Sequence, residues 1–269
     1  MKYIIFLFVF SFSAYAEKIV TLTTLAGYAP YTFKYAKKTN GVKEGGKITP
    51  GKDTRSLQGI AWDIVRESFH SQGYTIKLHV YPWARALKQM KQGKVDGLFP
   101  TTKTEARSKY FYFSKNATNS YSTCFYTKAK TEFKFLGISS LKGKKVGVIR
   151  GFSYGNKFDT YKKNLKLSPS GGDRESFLML EKNRIDVYVG YDIVADYFLK
   201  NTNQLAKFKR HAPIDFNYEF LSTNLDNPAK IQKVKDFDKG IEAIKKNGAF
   251  KKILEKWGID ELRVNPAGK

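Results

Sequence analysis

Residues 81–114, YPWARALKQMKQGKVDGLFPTTKTEARSKYFYFS, constrain this chain more than any other stretch. Pro82 stops an extended segment, because it has no N–H to give to a ladder. Trp83 and Arg85 stand at the mouth of the helix that follows. Leu87 and Met90 give that helix an apolar face, and Gly93 ends it. Residues 95–99 then read as a short buried strand, and Arg107 follows in a polar loop. One tryptophan and two arginines thus fall at strand–helix junctions, where α/β sheets collect ligands. The chain offers no comparable cluster of nucleophiles, metal ligands or paired acids.

The flanking segments extend the same grammar. Residues 18–24 alternate and are β-branched, which predicts a strand. Gly27-Tyr28-Ala29-Pro30-Tyr31-Thr32-Phe33 follows as a loop holding two tyrosines, either one wall of a cleft or ordinary packing under a loop. Residues 34–58 are polar, glycine-containing and lysine-rich, and read as a mobile insertion or a hairpin. A helix opens at Gly59 and runs to about Ser71, with Ile60, Ile64, Val65 and Phe69 on one face. Asp63 in its first turn complements the helix dipole or contacts a ligand. Residues 75–81 are the next strand. Strand, helix, strand, helix, strand calls for a parallel sheet with helices on its faces.

The N-terminus predicts export. Met1-Lys2 is a short basic start, residues 3–12 are almost uninterruptedly apolar, and Ala14-Tyr15-Ala16 supplies a signal-peptidase site, with cleavage before Glu17. The apolar run is short for a bilayer span. The single cysteine, Cys124, excludes an intramolecular disulfide and reads as a buried structural thiol. Lysine plus arginine number 48 against 24 acids, a formal charge of +24. The lysines are scattered through every element and no nucleic-acid motif is present, so the excess reads as solvated surface. Attraction to anionic envelope polymers is the alternative.

Taken in order, the motifs resemble a known family. They are the signal peptide, Gly-Tyr-Ala-Pro-Tyr, Gly59-x-x-x-Asp63, Trp83-x-Arg85, Gly93-Lys94-Val95-Asp96-Gly97 and Thr104-x-x-Arg107. Leu141-Lys142-Gly143-Lys144-Lys145-Val146-Gly147-Val148, Gly151-Phe152-Ser153-Tyr154, Asn183-Arg184-Ile185-Asp186-Val187 and residues 243–254 continue the series. The chain is similar to the extracellular solute-binding proteins of family 3, the polar-amino-acid-type receptors of ABC transporters. The resemblance implies an α/β fold of two lobes, the type II periplasmic-binding-protein architecture. Each lobe would be a mostly parallel sheet with flanking helices, joined by two hinge strands. Residues 1–16 would be the signal peptide, 17–119 plus 222–269 one lobe, and 120–221 the other. Residues 120–127 and 217–222 suit the crossings. Residues 227–247 form a long amphipathic helix, with Phe250, Ile253 and Leu254 in a second one.

The expected ligand residues follow from chemistry and resemblance together. A guanidinium offers two parallel hydrogen bonds to a carboxylate or phosphate. Arg107 stands where the family's carboxylate-binding arginine stands, after Thr102, or else pairs with Glu105. Arg85 is a second candidate, with pairing to Asp63 or Asp96 as its alternative. Trp83, Tyr28 and Tyr31 would supply aromatic walls, or pack the core. The Gly151–Tyr154 turn would offer Phe152, backbone N–H groups and the Ser153 hydroxyl to an anion. Amino-acid receptors of the family carry an aspartate where Tyr191 falls here. Asp192 is the next residue, so either a one-residue shift restores the acid or the site lacks it. The expectation is a periplasmic binding protein rather than an enzyme, monomeric, without cofactor, metal or nucleic-acid partner. It would take a small polar or anionic, amino-acid-like solute and meet an ABC permease or a membrane sensor. A lyase of the same fold, like cyclohexadienyl dehydratase, is the enzymatic alternative.

Overall fold

The computed structural model describes residues 17–35, 40–261 and 264. The expected signal peptide lies outside the described residues. The first part of the chain forms β1 (Lys18–Thr24), β2 (Gly27–Tyr28), β3 (Thr32–Phe33), β4 (Lys47–Ile48), α1 (Ile60–Ser71), β5 (Tyr74–Val80), α2 (Trp83–Lys91), β6 (Gly97–Thr102), α3 (Glu105–Ser108) and β7 (Phe111–Lys128). Next come β8 (Lys145–Ile149), α4 (Asn156–Tyr161), β9 (Lys166–Ser170), α5 (Asp173–Glu181), β10 (Val187–Tyr191), α6 (Asp192–Asn201) and β11 (Phe208–Arg210). The chain closes with β12 (Asp215–Asn224), α7 (Pro228–Lys246) and α8 (Ala249–Trp257).

One sheet runs through the molecule in the order β4-β5-β1-β6-β12-β7-β10-β8-β9, with β11 beside β7. β1 is parallel to β5 and β6, and β8 is parallel to β9 and β10. Each parallel set needs crossover helices, and α1, α2, α4 and α5 supply them. Between the sets lie β12 and β7, antiparallel to each other from Asp215↔Thr123 to Asn224↔Phe111. The architecture is therefore mixed α/β, two mostly parallel halves joined through two long central strands. β7 runs for 18 residues, far beyond the eight-residue crossing that its β-rich centre suggests. The run continues because its residues are buried on both faces almost throughout.

Local chemistry sets the boundaries. Gly93, at φ 66°, ends α2 in the left-handed region that favours glycine. β6 starts at Gly97, two residues later than the apolar pattern suggests. Asp96 is drawn aside, accepting from the Thr21 N–H at 2.7 Å and pairing with Lys233 at 2.8 Å. Arg107 lies in a helical turn rather than a loop, because the Thr104 hydroxyl caps the turn by accepting from the Arg107 N–H at 3.2 Å. α7 is capped the same way, with the Asn227 side chain accepting from the Lys230 N–H at 3.1 Å.

Residues 34–58 are not a free insertion where they are described. β4 pairs antiparallel with β5, and the Asp53 carboxylate accepts from the Trp62 indole N–H at 2.8 Å and from Arg66 at 2.5 Å. Asp63 does more than face a helix dipole. It is 3% exposed, and takes Arg66 at 2.8 Å, Lys256 at 2.7 Å and the Trp257 indole N–H at 2.9 Å. Three donors offset the burial of one carboxylate and tie α8 to α1. Cys124 is buried, as expected of a structural thiol.

Candidate ligand-binding site

The C-terminal end of β6 and the start of α2 meet the turn after β8 around a narrow cavity of about 10 Å³. Tyr28, Trp83, Thr102 and Arg107 enter from the first half. Phe152, Ser153 and Tyr191 enter from the second. Glu219, on β12, reaches in from the central strand pair. Among the described residues, no group of three or more His, Cys, Asp or Glu side chains is placed to hold a metal.

Arg107 is anchored without being used up. Its Nη1 donates to the Thr102 carbonyl at 3.0 Å and its Nη2 to the Gly151 carbonyl at 3.2 Å. Its guanidinium lies 5.5 Å from the Trp83 ring centroid. Those two bonds use two of the five N–H donors a guanidinium carries. Trp83 opens α2 and donates its indole N–H to the same Gly151 carbonyl at 2.8 Å.

Glu219 is the acid of this site. It is 4% exposed, and its carboxylate accepts from the Tyr28 hydroxyl at 2.5 Å, the Asn119 amide at 2.6 Å and the Thr102 hydroxyl at 3.2 Å. Burial pushes its pKa up, against the opposing pull of those three hydrogen bonds and of Arg107. Burial also pushes the Tyr28 phenol up, helped by the neighbouring Glu219 charge. The sequence pattern gave one usable signal for this residue. Alternation back from Thr223 and Leu221 puts Glu219 on the buried face of its strand.

The aromatic walls meet at steep angles. Tyr28 stands at 88° to Phe152 and 76° to Tyr191, and Trp83 at 83° to Phe152. Tyr191 lies flat between Tyr121, at 3.6 Å between centroids, and Phe152, at 5.3 Å. Its hydroxyl donates to the Ser153 carbonyl at 2.6 Å, and the Tyr121 hydroxyl joins it there at 3.0 Å.

Three expected ligand residues are placed elsewhere. Arg85 lies on the exposed side of α2, 4.4 Å from the Tyr81 ring centroid, and pairs with neither Asp63 nor Asp96. Two residues along a helix turn a side chain through roughly 200°, so the face that carries Trp83 inward carries Arg85 outward. Tyr31 is buried and gives its hydroxyl to the Ser120 carbonyl at 2.5 Å. Asp192 is buried as the first residue of α6, where its carboxylate accepts the Ser122 N–H at 2.9 Å. A one-residue shift therefore does not return an acid to the Tyr191 position. Ser153 lines the cavity, yet its hydroxyl is committed to the Asp159 carboxylate.

The sequence profile of the bacterial extracellular solute-binding proteins, family 3, matches residues 49–260. The chain belongs to that family. No curated protein matches the sequence. Among solved structures, a histidine kinase sensor domain with similarity to periplasmic binding proteins aligns over 90% of this chain and 96% of its own, at 17% identity and a TM-score of 0.73. A substrate-binding protein of an ABC uptake transporter from Streptococcus pneumoniae, solved with bound histidine, covers 89% of this chain and 92% of its own, at 17% identity and a TM-score of 0.71. An ancestral amino-acid-binding protein, a precursor of cyclohexadienyl dehydratase, covers 89% and 95%, at 18% identity and a TM-score of 0.68. At these identities the likeness is one of fold, and it places this family 3 protein among periplasmic-binding-protein architectures.

Proposed function

We propose that this family 3 protein is a periplasmic receptor that clamps a small, amino-acid-like solute bearing an anionic group and delivers it to an ABC transporter. One observation carries the reading: an incompletely used guanidinium, Arg107, faces a buried carboxylate, Glu219, across an aromatic cavity shared by two halves of the chain. Such a cavity orients a solute by its two charged ends and excludes water from both. The halves are residues 17–119 with 222–269, and residues 120–221. The hinge lies where the chain crosses between them, at residues 120–127 and 217–222. Each half supplies only part of the contacts, so a bound solute draws them together. The kinase sensor-domain neighbour favours a second reading, in which the same closure is read by a membrane sensor instead of a permease.

The test is a ligand screen on protein unfolded, stripped and refolded, using native mass spectrometry against pooled amino acids and small organic acids. The expected result is one solute class retained at one molecule per chain, a smaller radius by X-ray scattering when bound, and recovery of the solute unchanged. Failure to retain any solute overturns the reading. Recovery of a converted product replaces it with the lyase alternative.

A further inference from the structure

The cavity at Arg107, about 10 Å³, holds one water at most. A second cavity of about 320 Å³ adjoins it, sharing Leu25, Trp83 and Phe152. Trp83 and Phe152 meet edge to face, 5.9 Å between centroids, and partition the two spaces. A solute that reaches Arg107 parts these rings, and its bulk stays in the outer space. That space has the size of a small ligand pocket. Its walls are mainly apolar: Leu25, Val80, Pro82 and Trp83 on one side, Ile149 and Phe152 on the other. Two charged residues border it. Lys34 is exposed, and the Asp173 carboxylate is engaged by the Tyr188 hydroxyl at 2.8 Å.

Two glycines keep this outer cavity open. Most glycines of the chain either adopt a φ that side chains rarely take or sit where a Cβ would meet a neighbour within 4 Å. Among the described residues, Gly27 and Gly172 alone do neither. A Cβ on either meets nothing within 4 Å, and Gly172 is extended at φ 168°. Both line the outer cavity, Gly27 from the β2–β3 pair and Gly172 from the start of α5. A glycine that its backbone does not require adds freedom to the unfolded chain, a cost that a side chain would remove. Gly172 also forgoes the side-chain cap that a serine or aspartate would give α5. What the two positions share is the space their missing side chains leave.

Resting on the solute-receptor reading above, we propose that the solute is a carboxylate with an apolar body of leucine to phenylalanine size, seated in the outer cavity, and that Gly27 and Gly172 set the size admitted. Arg107 holds the carboxylate, and the apolar walls gain by excluding water from the body. A polar body would face these walls with its donors and acceptors unpaired.

The experiment is calorimetry on the stripped full mature chain with two ladders of carboxylates: glycine, alanine, leucine and phenylalanine, then acetate, 4-methylpentanoate and 3-phenylpropanoate. In at least one ladder, affinity is expected to rise about tenfold or more from the smallest member to the largest. Gly172→Leu and Gly27→Leu should each weaken the tightest member about tenfold or more by filling its space. Gly27 also borders a cavity of about 200 Å³, so Gly172→Leu is the cleaner variant. Circular dichroism separates lost binding from lost fold, and Gly172→Ala, with a severalfold loss expected, replaces a leucine variant that unfolds. A flat or falling pair of ladders overturns the proposal and leaves the receptor reading standing. Unchanged binding of the tightest member by the folded Gly172 variant also overturns it. So does binding of no ladder member while the wider screen retains some other solute. Retention of nothing in either experiment overturns both.

Discussion

The two walls of the cleft are built from different chemistry. The first half of the chain brings the cation, Arg107 in α3, along with the rings of Tyr28 and Trp83, and it supplies the three donors, Tyr28, Thr102 and Asn119, that hold Glu219 on the central strand β12. The second half brings rings, Phe152 and Tyr191, and commits its nearby acids to other partners. Asp159 takes the Ser153 hydroxyl and Asp192 takes a backbone N–H of β7. On the proposed receptor reading, the first wall sets the strength of binding and the second its shape. A charged anchor contributes a large, all-or-none energy, whereas ring packing contributes in proportion to fit.

That contrast is breakable. Arg107→Ala should weaken binding most, by roughly 2–5 kcal/mol, or about thirtyfold to several thousandfold, with the fold intact by circular dichroism. Arg107→Lys should recover only part, since an ammonium lacks the planar fork. Binding within about twofold of the parent in Arg107→Ala would move the anchor elsewhere and dissolve the division of labour. On the second wall, Phe152→Leu keeps an apolar side chain but removes a ring, and about tenfold weaker binding is expected. An effect as large as that of Arg107→Ala would show that shape and charge are not divided between the walls.

The second half also carries a pH-sensitive group, Asp173. Burial at the start of α5 raises its pKa to about 6, although the Tyr188 hydroxyl donates to it at 2.8 Å. The folded chain thus holds this proton more tightly than the unfolded one. Its stabilising contribution is complete below the unfolded value near 4 and is lost as pH rises through about 6. The change amounts to roughly 3 kcal/mol at most. Asp173→Asn should flatten the thermal midpoint between pH 4 and 6. Part of the slope should remain, because burial raises Glu219 in the same direction. An unchanged midpoint profile in the variant would remove Asp173 from the account. The smallest effect is expected of Arg85→Ala, which should leave affinity within about twofold and cost a few tenths of a kcal/mol, its exposed cation–π contact with Tyr81 being its main interaction.

Much of this arrangement was legible before any coordinates. The alternation of residues 18–24, the helix after Gly59 and the capped helix after Asn227 each show a period that tertiary packing does not override. Arg107, Trp83, Thr102, Tyr28, Phe152, Ser153 and Tyr191 were expected together, and the fold brings them to one cavity. Arg85 was misplaced because a two-residue spacing near a helix start leaves open which side chain turns inward. Asp192 was misplaced because an acid at a first helical position is satisfied by a neighbouring strand's N–H. Glu219 escaped notice because its partners, Tyr28, Thr102 and Asn119, are 191, 117 and 100 residues away in sequence. No local window contains such a cluster.

The central strand pair also dictates the order in which the chain completes itself. β6 finds its second neighbour in β12, and α1 packs against α7 and receives Lys256 and Trp257 from α8 at Asp63. Until residues 215–257 are available, the opening third of the chain holds a strand with an open edge and a buried carboxylate short of two donors. It must wait through the synthesis of everything between. Contacts this distant in sequence slow folding and prolong exposure of apolar edges. A nascent chain of this topology therefore stays loose until its last helices emerge.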